Sequence, residues 1–185
     1  IRLDDRSLET AAAHLGGFES SLARSLVWGT LWDQTRDAEL PASRFVDIVL
    51  DHISTETNST VLRTLIQQLI LSASSYVMPG RRALTLERVA DGFWQLAINA
   101  ASGSDLQFQF VKAFAQLAST DAQLDTVLEI LEERSQLSGL DIDTDLGWEL
   151  LISLAAGGRS NVEEIDAALA SDLTASGQQS AAHAR

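Results

Sequence analysis

Apolar residues recur at helical spacing along nearly the whole chain, and the two-residue alternation bounded by hairpin turns that marks strands is absent. The plainest instance follows Pro41. There Phe45, Val46, Val49, Leu50 and Ile53 fall on one stripe, behind a proline suited to a first helical turn. The next stretch begins near Asn58 and Ser59, carries Val61, Leu62, Leu65, Ile66, Leu69 and Ile70, and runs out at Met78-Pro79-Gly80. So wide a stripe predicts burial on more than one side.

Capping signals punctuate the pattern. Ser104 with Gln107, Thr120 with Gln123, and Ser160 with Glu163 each place a hydroxyl three residues before a side chain that can reach back to the helix start. Glycines at Ser102-Gly103, Ser138-Gly139 and Gly157-Gly158 supply the left-handed stops. Together these predict helices over 7–15, 19–36, 41–54, 59–77, 85–101, 105–118, 121–136, 145–156 and 161–172, with a short terminal one from about 176. Alternate helix starts lie about 35 to 45 residues apart, the period of two-helix HEAT or armadillo units. The expected fold is all-α: an irregular stack of antiparallel helical hairpins, a HEAT/armadillo-like α-solenoid forming one domain over 1–185.

Composition narrows the chemistry. The net charge of −13 would repel a phosphate backbone, so no nucleic-acid partner is expected. With no cysteine, thiolate chemistry and disulfides are excluded. No apolar run approaches the roughly 18 residues of a membrane span, so a soluble chain with no membrane partner is expected. The first residue, Ile1, is not a methionine, and the last, Arg185, falls inside a helical pattern; both suggest a piece of a longer protein.

No complete catalytic or metal constellation can be assembled. His14, His52 and His183 are far apart and in no ligand spacing, and His52 reads as a helix-surface residue. Asp141-Ile-Asp-Thr-Asp145 begins like a calcium loop but has Leu146 where the turn glycine belongs and Ile152 where a bidentate glutamate is needed. Asp143 or Thr144 is better read as a helix N-cap. Asn58-Ser-Thr60 matches a glycosylation acceptor, yet it also stands where a helix needs a cap. The glycine pairs at 16/17 and 157/158 follow helices and do not frame a phosphate loop. Trp28 and Trp32, one turn apart, read as core packing. Four charged residues at predicted hairpin turns, Arg36, Asp37, Arg81 and Arg82, remain as candidates to face another domain or a ligand.

The stretch Ser25-Leu-Val-Trp-Gly-Thr-Leu-Trp-Asp-Gln-Thr-Arg-Asp-Ala-Glu-Leu40 resembles a segment of the C-terminal helical domain of bacterial aminopeptidase N, a gluzincin-class zinc metallopeptidase of the membrane alanyl aminopeptidase family. A second stretch, Ser138-Gly-Leu-Asp-Ile-Asp-Thr-Asp-Leu-Gly-Trp-Glu-Leu-Leu-Ile-Ser-Leu-Ala155, is similar to that domain's late helices. So is Ile165-Asp-Ala-Ala-Leu-Ala-Ser-Asp-Leu-Thr-Ala-Ser-Gly177, with an Asp-x-Thr-Ala-x-Gly element. One departure is Gly147, where the resemblance implies an arginine before the tryptophan.

The resemblance implies a cytoplasmic parent enzyme that removes N-terminal residues from peptides. Its N-terminal and catalytic domains, the latter holding zinc, lie outside this chain. The HExxH and GxMEN motifs of the family have no counterpart here, so no catalytic or metal residue carries over and no cofactor is expected in this segment. The implied role is a non-catalytic wall that closes over the catalytic cleft and shapes the peptide-access chamber, with Arg36, Asp37, Arg81 and Arg82 as expected contacts to the catalytic domain or peptide. A freestanding HEAT-like module that binds protein partners is the alternative.

Overall fold

The computed structural model describes residues 2–185, and among these every regular element is helical. The residues form two compact units, one running to Val89 and one beginning at Ala90, with the division inside a single helix.

The first unit contains α1 (Asp5–His14), α2 (Ser21–Arg36), α3 (Ala42–His52), α4 (Ser59–Leu71) and the first turns of α5 (Arg82–Asn99). Phe45, Val46, Ile48 and Val49 of α3 are buried. Leu50, predicted in that stripe, is only half-buried, because α2 and α4 both pack on α3 and widen its covered face toward Ile48. In α4, Leu62, Leu65, Ile66 and Leu69 enter the core, and Asn58 caps the helix by accepting bonds from the Thr60 and Val61 amides.

The helix expected to continue to 77 changes character at Ser72. Residues Ser72–Tyr76 form a π-helical turn closed by the Val77 amide donating to the Ser72 carbonyl at 3.0 Å. At the end of α2 the reversal uses Ala38, at φ 60°, with the Glu39 amide reaching back to the Gln34 carbonyl at 2.8 Å. This is a Schellman cap made without glycine.

The second unit holds the rest of α5 with α6 (Asp105–Leu117), α7 (Asp121–Leu131), α8 (Thr144–Ala156), α9 (Val162–Ser171) and α10 (Ala175–Ala184). Phe93 stacks on Phe110, Trp94 tilts against Phe114, and α8 is central, touching α6, α7 and α10. That position explains why α8 buries Leu146, Trp148, Leu150, Leu151 and Leu154, which do not share one stripe.

α5 begins at Arg82, three residues before its predicted start, and the end of α7 and the cap of α9 also differ from expectation. α7 stops at Leu131, five residues early, because Glu133 turns left-handed (φ 57°) and the Arg134 amide bonds the Glu129 carbonyl, another Schellman cap on a non-glycine residue. The capping box expected at Ser160 and Glu163 is formed one residue later, by Asn161 and Glu164. The box at Thr120 and Gln123 forms as read; Ser104 accepts from the Gln107 amide, while the Gln107 side chain accepts from Gly103. Gly103 and Gly139, both left-handed, pack backbone against backbone: a Cβ on Gly103 would stand 2.9 Å from the Gly139 carbonyl oxygen.

Candidate functional site

In the first unit the π-turn directs Tyr76 outward. Its ring stacks on Trp32 at 5.9 Å and 17°, and Trp32 in turn tilts against buried Phe45 at 5.6 Å. Such turns are frequent at functional sites, since the extra residue re-aims the side chains that follow it. Tyr76 forms part of two hollows that share Pro41 and Ala42. One, of about 800 Å³, is walled by Val77, Met78, Leu84 and Arg81; the other, of about 340 Å³, is walled by Arg36 and Leu40. Met78 and Leu84 are 71% and 70% exposed, an apolar surface left uncovered within this unit.

The four charged candidates are only partly brought together. Arg36 and Arg81 line the two hollows that meet at Tyr76. Arg36 is engaged with Asp33 at 2.8 Å, whereas Arg81 makes no ion pair among the described residues. Asp37 is the C-cap of α2, and its side chain lines neither hollow. Arg82 is half-buried at the start of α5 with a buried Nε that has no hydrogen-bond partner among the described residues. Sequence reasoning missed Tyr76 and Met78, because a π-turn has no distinctive residue signature.

A buried polar cluster also escaped the sequence. Glu56, 2% exposed, accepts at one oxygen from the Trp28 indole N–H (2.7 Å) and the Arg24 Nε–H (3.0 Å), while the second Arg24 nitrogen donates to the Phe18 carbonyl at 2.6 Å. His52, read as a helix-surface residue, lies partly exposed at the end of α3 with both ring nitrogens near backbone groups. It is half-buried, its Nδ1 accepts from the Gly16 amide at 3.3 Å, and its Nε2 lies 2.8 Å from the Ala12 carbonyl, joining α3 to the end of α1.

The second unit has an analogous lock. Trp148 donates to Asp172 at 2.9 Å, and the other Asp172 oxygen accepts from the Thr174 hydroxyl (2.7 Å) and amide (3.3 Å). These bonds, Thr174 first and Trp148 second, hold the Asp172 carboxyl below the usual aspartate range. Thr174 caps α10 by accepting from the Gly177 amide, and a Cβ on Gly177 would collide with the Asp172 carbonyl. The Asp-x-Thr-Ala-x-Gly element is thus a turn that ties α10 to α8 through Trp148.

Among the described residues no three His, Asp or Glu side chains converge as a metal-binding group, and both His52 nitrogens lie within hydrogen-bonding distance of backbone groups. Asp143 of the calcium-like stretch accepts from the Leu146 amide at 2.8 Å as the N-cap of α8.

The stretches that carry the family resemblance therefore supply the tryptophans of two tryptophan-to-carboxylate anchors, Trp28 on Glu56 and Trp148 on Asp172. The model of the ERAP1-like C-terminal domain matches residues 1–185. The chain belongs to this family. Aminopeptidase N of Streptomyces lividans is 38% identical over 185 residues, covering 100% of this chain and 22% of that protein. The ERAP1-like C-terminal domain described here thus spans about a fifth of the length of the curated relative it matches. Among its described residues no helix is long and apolar enough to cross a membrane.

Proposed function

We propose that this ERAP1-like C-terminal domain is the non-catalytic helical part of a zinc-dependent aminopeptidase, and that it shapes the chamber through which peptides reach a catalytic centre elsewhere in the same polypeptide. The observation that carries this reading is the match over all 185 residues to about a fifth of an aminopeptidase N. It favours an enzyme domain over a freestanding interaction module. In this reading zinc belongs to the catalytic domain, and the partners of the chain are the catalytic and N-terminal domains and the peptide. A cytoplasmic location is part of the proposal; a cysteine-free chain has no need of an oxidising compartment.

Within the first unit, the hollows around Tyr76 are the surface we assign to that role. Arg81 supplies a cation without an ion-pair partner among the described residues, beside the apolar side chains Met78 and Leu84. Arg36 contributes to the adjoining hollow, while Asp37 is the C-cap of α2 and Arg82 the first residue of α5, and neither lines a hollow around Tyr76.

The test compares the full-length protein with residues 1–185 alone on an alanyl chromogenic substrate. Full-length protein should turn over substrate and lose activity on chelation; the segment should be inert. Robust turnover by the segment would refute the assignment. In the full-length enzyme, Arg81→Glu should alter the dependence of kcat/KM on peptide length while leaving turnover of the short chromogenic substrate near its original value.

A further inference from the structure

The second unit contains a groove of about 510 Å³ between α7, α8 and α9, floored by Leu128 and Leu131 of α7, Trp148 and Leu151 of α8, and Ala167 and Ala168 of α9. Gly147 of α8 also opens onto it. A glycine inside a helix is destabilising by roughly 0.5–1 kcal/mol relative to alanine, so its presence calls for a reason. Elsewhere in this unit the reason is visible: a Cβ on Gly157 would run into the Leu124 side chain, and one on Gly177 into the Asp172 backbone. At Gly147 a Cβ would meet nothing within 4 Å. The packing of this unit does not demand the glycine.

The rim of the groove carries carboxylates of two kinds. Glu132 is paired with Arg134, and Arg159 is occupied by Asp121 at 2.8 Å and Asp125 at 3.0 Å. Asp172 and Glu164 differ. Among the described residues, Asp172 is bonded by the Trp148 indole and Thr174, and Glu164 by the Ser160 hydroxyl and the Asn161 amide, all neutral donors. An apolar floor with uncompensated negative charge at its edge fits an apolar segment that carries a positive charge. Apolar grooves between helices commonly take the apolar face of another helix, with residues one turn apart as anchors.

We propose that the α7–α8–α9 groove is the seat of an apolar segment flanked by lysine or arginine, contributed by the part of the full-length polypeptide outside residues 1–185, and that Gly147 is the point of closest backbone approach. About four-fifths of the 38%-identical relative lies outside the matched region, so a covalently linked occupant is present at high effective concentration. The proposal rests on the reading of this chain as part of a longer enzyme, but not on the peptidase activity of that enzyme.

The experiment uses the full-length protein with a photoreactive phenylalanine analogue at position 131, on the groove floor. Crosslinks should map to one segment outside residues 1–185 that carries a basic residue beside apolar ones. Crosslinks confined to residues 1–185, crosslinks between two copies, or no crosslinks would each overturn the proposal. Hydrogen exchange of Gly147→Trp and Gly147→Ala full-length variants supplies a second readout. Filling the groove with the indole should release the segment and speed its exchange by about tenfold over the wild type, whereas equal exchange in both variants and the wild type would refute the assignment. Peptidase activity is measured separately on the same samples. A mapped crosslink in an inactive protein would leave the groove assignment standing while the enzyme reading fails.

Discussion

Removing the guanidinium of Arg24 should be among the most damaging single changes in the first unit. The side chains of Arg24 and Glu56 are 8% and 1% exposed, so their ion pair sits where water cannot replace a lost partner. In Arg24→Met the Glu56 carboxylate keeps, among the described residues, the Trp28 indole alone, and the Phe18 carbonyl loses its 2.6 Å donor. Leaving one member of a buried pair uncompensated costs about 3–5 kcal/mol. For a chain of this length that corresponds to a fall of roughly 6–20 °C in Tm. The measurement is thermal and urea denaturation of the chain, followed by far-UV circular dichroism and tryptophan fluorescence. Replacing both partners, in Arg24→Met with Glu56→Leu, should recover most of the loss, because no charge is then left buried. A cost below about 1 kcal/mol for Arg24→Met alone would place the pair in the range of solvated surface bridges and refute the argument.

Two further predictions follow from the turns. Bonds from Thr174 and Trp148 lower the Asp172 pKa in the folded state, so its contribution to stability is complete above the ordinary aspartate range and is lost as pH falls through the lowered value. The indole N–H resonance of Trp148 should therefore hold its position on acidification until pH drops below that range; a shift at higher pH would contradict the geometry. Glu133→Gly should stabilise the chain by about 0.5–1 kcal/mol, because the strain of a left-handed Cβ outweighs the entropy of an added glycine. A lower urea midpoint in that variant would show that the glutamate side chain contributes something the turn geometry does not.

The helical framework was legible because its determinants are local. The Thr120–Gln123 box, the Asn58 cap and the stripe of Leu62, Leu65, Ile66 and Leu69 each depend on residues within a turn of one another. The errors arose where local chemistry is ambiguous. Ala38 and Glu133 occupy left-handed caps usually signalled by glycine, and Ser160 and Asn161 are both competent caps, so packing chose between them. Of the four charged candidates, Arg36 and Arg81 reached the Tyr76 hollows, but the aromatic pair that organises this surface depends on a π-turn that no residue pattern announced.

By itself, then, the order of residues determined the helices, most of their caps, and the lack of a recognisable metal-ligand or nucleophile pattern, since these rest on periodicity, side-chain donors within a turn, and residue types present or missing. Only the tertiary structure decided that Glu56 would lie under Arg24 and Trp28, that His52 would join two helices, that Asp172 would hold Trp148 across 24 residues, and that Gly147 would open onto a groove. Each of these pairings depends on which helix faces overlap after packing. A buried carboxylate is tolerated only where several distant donors converge, and that convergence exists only in the folded chain.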